Sequence, residues 1–159
     1  MKTFRLFILV LAGLLAYAAS AQQPEANPPV RWRTIVRMTS PNQGTVTFKA
    51  LIEPGWHLYG LELPQGGPRP TRFDLGESTG IEFTSPVTPS REPVSTDDPM
   101  FGLTLSWWDA NVNFTAPFRL TGEGTPTVKA AISYMACDGN TCRPPKTERI
   151  SAPVPPFAH

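Results

Sequence analysis

Three segments of this chain alternate apolar and polar residues with a period of two. In TVTFKALI, residues 45–52, every second residue from Val46 onward is apolar. NVNFTAPFRL, residues 111–120, and TVKAAISY, residues 127–134, alternate in the same way. A period of two is typical of strands that bury one face of a sheet. The residues predicted to be buried are Val46, Phe48, Ile52, Phe114, Phe118, Leu120, Ile132 and Tyr134.

The distribution of proline and glycine also favours short strands. The chain holds 19 prolines and 12 glycines, and no segment has a helical period with caps. Further strand candidates are residues 32–38, 56–59, 72–75, 81–86, 103–107 and 147–152. About nine short strands predict an all-β fold, an immunoglobulin-like antiparallel β-sandwich in a single domain. Pro117 lies on the outward face of its segment, which predicts an edge strand or a bulge there.

The amino terminus has the pattern of a secretory signal peptide. Lys2 and Arg5 form a short positive region, an apolar run follows over residues 6–15, and residues 19–21 (ASA) match a small-residue cleavage site. An uncleaved membrane anchor is the alternative, but this run is short for a span, which needs about 20 residues. No later segment is apolar enough to span a membrane. The expected organisation is signal peptide 1–21, proline-rich leader 22–31, sandwich domain 32–152 and C-terminal tail 153–159.

Charge and histidine content exclude several classes of function. Removal of the signal peptide takes away two cations and no acid, which changes the formal net charge from +1 to −1. A nearly neutral domain offers no electrostatic surface for nucleic acid or anionic lipid. The chain has two histidines, and His57 is expected to be a hydrogen-bonded structural residue. Neither a serine–histidine pair nor a four-ligand zinc pattern is present, although Met100 and Met135 would suit copper(I) together with the cysteines. No cofactor and no metal are expected.

Both cysteines lie in one short segment, YMACDGNTCRPPKT, residues 134–147. Cys137 and Cys142 are expected to be joined, because secreted chains favour disulfides and the intervening DGNT tolerates a tight turn. The bond could be a static staple, but closing so short a loop stabilises a fold by only about 2 kcal/mol in the entropy model. It could equally be a pair that opens and closes, since a loop-borne disulfide is accessible to an attacking thiolate. Spacing alone leaves the two alternatives even.

Two segments together resemble a known family. The stretch EPGWHLYGLELPQGGPRPTRF, residues 53–73, and the cysteine segment with its double proline are similar to the N-terminal periplasmic domain of the DsbD thiol:disulfide interchange proteins, including the stand-alone disulfide bond corrector proteins. The resemblance extends over roughly residues 32–152 and is most specific in the cysteine segment. It implies an immunoglobulin-like sandwich in the periplasm of a Gram-negative bacterium.

The resemblance also implies a function and a site. Cys137 and Cys142 would be a redox-active pair that takes electrons from a thioredoxin-like donor and passes them to oxidised periplasmic proteins. Cys142 would form the mixed disulfide, and Cys137 would resolve it. The stretch DDPMFGL, residues 97–103, would match a cap loop over the disulfide. Its implied site residues are the acids Asp97 and Asp98, the capping side chains Met100 and Phe101, and the hinge Gly102.

Some features depart from the family pattern. Four residues separate the cysteines, where family members can have a longer interval, so the loop geometry is open. No segment matches the membrane channel or the thioredoxin-like domain of full DsbD proteins, so the electron donor is expected to be another chain. The competing hypothesis is a secreted sandwich that serves as a binding or structural module with an inert hairpin disulfide. The reduction potential of the pair distinguishes the two hypotheses.

Overall fold

The computed structural model of the protein describes residues 27–158. The predicted signal peptide and the first part of the leader, residues 1–26, lie outside the described residues. Residues 27–158 contain twelve strands and no helix, and therefore no helix that could cross a membrane. The strands are β1 (Val30–Ser40), β2 (Gln43–Ile52), β3 (His57–Tyr59), β4 (Arg72–Asp74), β5 (Ile81–Phe83), β6 (Thr88–Pro89), β7 (Val94–Asp98), β8 (Leu103–Trp108), β9 (Val112–Leu120), β10 (Thr127–Tyr134), β11 (Ala136–Cys137) and β12 (Lys146–Pro153).

One layer of the fold is a five-stranded antiparallel sheet. Its order is β1-β2-β9-β5, and β6 pairs with β9 beside β5. The register places Phe48 of β2 opposite Phe114 of β9, and Val36 of β1 opposite Val46. Because residues two apart lie on the same face, this register brings the apolar positions of all three long strands to one side of the sheet.

The other layer consists of two shorter sheets that follow one another. They have the orders β12-β10-β4 and β11-β3-β8-β7. Only Met135 separates β10 from β11, and its carbonyl accepts a hydrogen bond of 3.3 Å from the backbone N–H of Tyr59. Just beyond β3, the carbonyl of Gly60 accepts a 2.9 Å bond from the N–H of Thr71. These backbone bonds connect the two sheets into one layer opposite the first.

Aromatic side chains from both layers meet in the core. The ring centroid of Phe73, on β4, lies 5.3 Å from that of Phe48 and 5.0 Å from that of Phe114. The ring centroids of Trp32, on β1, and Tyr134, on β10, are 5.6 Å apart. The predicted antiparallel β-sandwich is therefore confirmed. Of the eight residues predicted to be buried, seven are at most 8% exposed, and Leu120 is half-buried at the end of its strand.

The prediction that Pro117 marks an edge strand is wrong, whereas its alternative, a bulge, agrees with the pairing. Between the Phe83–Phe118 pair and the Thr88–Thr115 pair, the segment joining β5 to β6 has two more residues than β9. Strand β9 is central, with β2 on one side and β5 and β6 on the other. Phe83 of β5 pairs with Phe118, and Thr88 of β6 pairs with Thr115, so Pro117 faces the gap between these two short strands. The carbonyl of Pro117 points to that side and accepts a 3.0 Å hydrogen bond from the backbone N–H of Thr84. A missing N–H on the same side therefore costs no ladder hydrogen bond.

Candidate functional site

A second apolar cluster lies on the outer face of the sheet β11-β3-β8-β7. Tyr59, Leu105 and Cys137 form its centre, and each is at most 1% exposed. Adjacent residues of the same strands face the other way: Leu58 and Trp108 belong to the main core. We call the outer group the site cluster; its partly buried members are Leu63, Phe101, Leu103, Trp107, Met135 and Cys142. The site cluster is thus separated from the main core by the thickness of one sheet.

The two cysteines form a disulfide across a tight hairpin loop. Cys137 ends β11, and its Cα atom is 4.1 Å from that of Cys142. The carboxylate of Asp138 accepts hydrogen bonds from the backbone N–H groups of Asn140, at 2.9 Å, and Thr141, at 2.7 Å. These two bonds lower the pKa of Asp138 from its ordinary value, and Gly139 turns the chain with φ of +88°. The DGNT sequence therefore builds the turn through its own side chain and glycine.

The two sulfur-bearing residues differ in their exposure. Cys137 is fully buried and is hydrogen-bonded in register opposite His57 of β3. Cys142 is half-buried and lies beyond the turn. The next residue, Arg143, donates its backbone N–H to the carbonyl of Ala136 at 2.9 Å and places its guanidinium 5.4 Å from the ring of Trp56. An incoming reactant at the surface therefore meets Cys142 before Cys137.

The tip of the β7–β8 hairpin, residues 98–102, lies over this disulfide. The Asp98 carboxylate accepts hydrogen bonds from the backbone N–H groups of Met100, at 2.8 Å, and Phe101, at 3.2 Å. Gly102 has φ of +63° and donates its N–H to the Asp98 carbonyl at 2.8 Å. The resulting turn holds the Met100 sulfur 3.5 Å from the Cys142 sulfur. Phe101 packs edge-on against Tyr59, with 6.2 Å between ring centroids.

The two predicted acids face opposite directions. Asp98 is 7% exposed, and its second carboxylate oxygen accepts a 3.4 Å hydrogen bond from the Tyr59 hydroxyl. Asp97 is exposed and accepts a 2.7 Å bond from the Thr104 hydroxyl across the hairpin. Since neighbouring strand residues point to opposite faces, only Asp98 joins the site cluster. The structure thus brings together Asp98, Met100, Phe101 and Gly102 with the disulfide, while Asp97 faces away from the site cluster.

Tyr59 is a site residue that the sequence analysis did not single out. It is fully buried in the site cluster between Cys137 and the hairpin tip. Burial raises the pKa of its hydroxyl above the ordinary value, and the Asp98 charge adds to this effect. The hydroxyl therefore stays protonated and donates to Asp98. The GWHLY motif could have indicated it, because the tyrosine lies two residues beyond His57 on the same strand face.

His57 differs from the hydrogen-bonded histidine that was predicted. Its ring stacks on the ring of Trp107, with 4.8 Å between centroids, and packs edge-on against Tyr59, with 5.3 Å between centroids. The Nε2 atom is buried and has no hydrogen-bond partner among residues 27–158. Burial lowers the pKa of His57, although the carboxylates of Asp98, Asp138 and Asp109 oppose the shift. The expected hydrogen bond is therefore missing at Nε2, and the ring is held by aromatic stacking.

Fold and site together define an all-β sandwich domain that carries one hairpin disulfide beneath the tip of a neighbouring hairpin. The sequence profile of the family described as "Thiol:disulfide interchange protein DsbD, N-terminal" matches residues 25–153. The chain therefore belongs to this family.

The chain is also similar to two solved structures. The chain is 15% identical, with a TM-score of 0.60, to the "N-terminal periplasmic domain of ScsB from Proteus mirabilis". The match covers 85% of this chain but only 50% of that structure. The chain is 16% identical, with a TM-score of 0.49, to the "Neisseria meningitidis DsbD n-terminal domain in the reduced form". This second match covers 80% of this chain and 90% of that structure. No curated protein matches the chain significantly.

Truncating the hairpin tip should expose the disulfide. We expect Phe101→Ala to speed reduction of the disulfide by dithiothreitol about fivefold. Loss of this partly buried ring should destabilise the closed position of the hairpin tip over the disulfide by about 1 kcal/mol. The second-order rate constant is measured by trapping the released thiols with a chromogenic reagent. Val94→Ala is the control, because Val94 is 45% exposed at the far end of β7. An unchanged rate in Phe101→Ala would remove this ring from the site.

Proposed function

We propose that the protein is a periplasmic thiol–disulfide exchange domain that acts through Cys137 and Cys142. In this function it takes two electrons from a thioredoxin-like donor and passes them to oxidised periplasmic proteins. The observation that carries the proposal is the placement of the disulfide: it lies in a surface hairpin and joins Cys137, which is fully buried, to Cys142, which is half-buried. Membership of the interchange family supports the same chemistry.

The exchange cycle follows from two thiol–disulfide steps. In the reduced domain, the thiolate of Cys142 attacks a disulfide sulfur of the acceptor, and the acceptor's second sulfur leaves as a thiolate. Cys137 then attacks Cys142 within the mixed disulfide, which releases the acceptor as a dithiol and leaves the domain oxidised. The donor dithiol reverses both steps. Each turn moves two electrons and two protons, and no cofactor takes part.

The residues around the pair supply the arrangement that such a cycle needs. Met100 and Phe101 shield the disulfide from small molecules, while the hairpin tip joins β7 and β8 through a glycine with positive φ. The carboxylate of Asp98 disfavours a thiolate nearby, which restrains the reduced pair until a partner docks. We assign Met100 and Phe101 the capping role, Gly102 the hinge and Asp98 the electrostatic role, and give Asp97 no direct role.

The proposed location rests on two observations. The predicted signal peptide, residues 1–21, would export the chain. The domain of similar fold from Proteus mirabilis is described as periplasmic. A thioredoxin-like donor in the periplasm would then be a separate chain or a separate domain, which docks over the hairpin tip.

An inert staple is the alternative, and the reduction potential decides between the two. We expect a value between about −180 and −270 mV, the range of exchange proteins, because the loop is short and Cys142 is only half-buried. The oxidised fraction is measured in glutathione and dithiothreitol buffers by alkylation and mass spectrometry. The variant with serine at both cysteine positions should show no mass shift and serves as the control. A potential below about −300 mV would favour a structural disulfide.

A further inference from the structure

Three sulfur atoms meet at the tip of the β7–β8 hairpin. The thioether of Met100 lies 3.5 Å from the Cys142 sulfur, and the Cys137 sulfur is bonded to that same atom. Met100 is nevertheless 43% exposed, and Val94 is the other large apolar side chain exposed in residues 27–158. An unbranched side chain held at the surface by a turn, with its sulfur directed at a disulfide, is an arrangement that packing alone does not require.

The three potential donor atoms that contact one another at this point are all sulfur. No group of three or more His, Cys, Asp or Glu side chains is placed to hold a metal ion within residues 27–158. A zinc site would need about four such ligands, so the pair lacks the partners that zinc prefers. Two thiolates and a thioether are instead the soft ligands that select copper(I).

The sulfur spacing fits a shared ion. With metal–sulfur bonds of about 2.3 Å, two sulfurs on one ion lie roughly 3.8–4.0 Å apart in tetrahedral or trigonal arrangement. The separation between Met100 and Cys142 is 3.5 Å, so a movement of a few tenths of an ångström would suffice. Reduction separates the two cysteine sulfurs and supplies such room. The unbranched, flexible side chain of Met100 can adjust by this amount.

We propose that the reduced pair, Cys137 and Cys142, binds one copper(I) ion together with the thioether of Met100. On binding, the two thiols lose their protons and the ion keeps its oxidation state, so no electron is transferred. The oxidised domain does not bind, because its two sulfurs are bonded to each other. The proposal shares one premise with the proposed function, namely that the pair can be reduced. A bound ion occupies both thiolates and therefore blocks attack on a protein disulfide.

Copper(I) titration tests the site without any partner protein. The purified protein is reduced chemically, desalted without oxygen and titrated with copper(I) against the chromogenic chelator bicinchoninate. We expect one ion per chain for the reduced form and none for the oxidised form. Met100→Leu keeps the size and apolar character of the side chain but removes the sulfur, and should weaken binding about tenfold or more. Met38→Leu, in β1 away from the site cluster, is the matched control and should bind like the unaltered protein.

Two results would overturn the site. Equal affinities of Met100→Leu and the unaltered protein would remove the thioether as a ligand. X-ray absorption of the copper-loaded protein should show three sulfur neighbours, and a shell of two sulfurs, or one with nitrogen, would contradict the proposal. Because the reductant is a small molecule, failure to bind copper leaves the exchange function standing. Failure to form mixed disulfides with a thioredoxin-like protein equally leaves the copper site standing.

Discussion

Cys137→Ser should accumulate a mixed disulfide between Cys142 and a thioredoxin-like protein, whereas Cys142→Ser should trap little. The reason is the unequal exposure of the two residues: Cys142 is half-buried and Cys137 is fully buried within β11. An attack on Cys137 would require the hairpin tip and Cys142 itself to move aside, and an opening that costs about 1.4 kcal/mol already reduces the reactive fraction tenfold. We therefore expect at least about a tenfold difference in trapped complex.

Non-reducing electrophoresis measures the difference. Each variant is incubated with a thioredoxin-like protein whose resolving cysteine has been replaced and whose remaining cysteine is activated as a mixed disulfide with a small aromatic thiol. The variant with serine at both positions controls for non-specific adducts. Equal trapping by Cys142→Ser would show that the roles of the two sulfurs are reversed. If neither single variant formed a complex, the inert-staple hypothesis would be favoured.

Phe114→Ala should destabilise the fold by about 3–5 kcal/mol, the usual cost of removing a buried aromatic ring. Phe114 is fully buried on the central strand β9. Its ring lies 5.0 Å from Phe73 and 5.0 Å from Trp108, so it joins both layers. A loss of this size is a large part of the 5–15 kcal/mol that a domain typically has.

Urea unfolding followed by tryptophan fluorescence gives the free energy of unfolding. Val94→Ala serves as the surface control and should stay within about 0.5 kcal/mol of the unaltered protein. If Phe114→Ala does not fold, Phe114→Leu keeps most of the volume and should lose less, about 1–2 kcal/mol. A loss below about 1 kcal/mol in Phe114→Ala would contradict the role of this ring as the contact between layers.

Much of the fold could be predicted from the sequence because long strands that bury one face alternate visibly. Strands β2, β9 and β10 have 10, 9 and 8 residues, and their buried faces match the alternation. Strands β6 and β11 have two residues each, which is too short for a period. Strand β7 is exposed at four of its five positions, so it has no apolar face to detect. Pro117 faces the gap between the short strands β5 and β6, and only the tertiary pairing of these strands with β9 reveals that gap.

The candidate site shows the same division between local and tertiary information. The sequence predicted a tight turn from the positive φ that Gly139 and Asn140 tolerate; Gly139 has it and Asn140 does not, and the Asp138 carboxylate completes the turn instead. The resemblance to the interchange family pointed to the hairpin tip but did not separate Asp97 from Asp98, because that requires the register of β7. The contact between the sulfurs of Met100 and Cys142 joins residues 42 positions apart, and no sequence period records it. Tyr59 became visible only through its burial and its hydrogen bond to Asp98.

The site cluster lies on the opposite face of its sheet from the main core, and this separation has a consequence for sequence change. Substitutions among residues 98–102 alter side chains that the main core does not touch. The scaffold can therefore stay constant while the tip varies, much as antibody frameworks tolerate new loops. Domains with this architecture can acquire different docking preferences by exchanging a five-residue tip, and a protein engineer could transplant that tip between relatives without redesigning the sandwich.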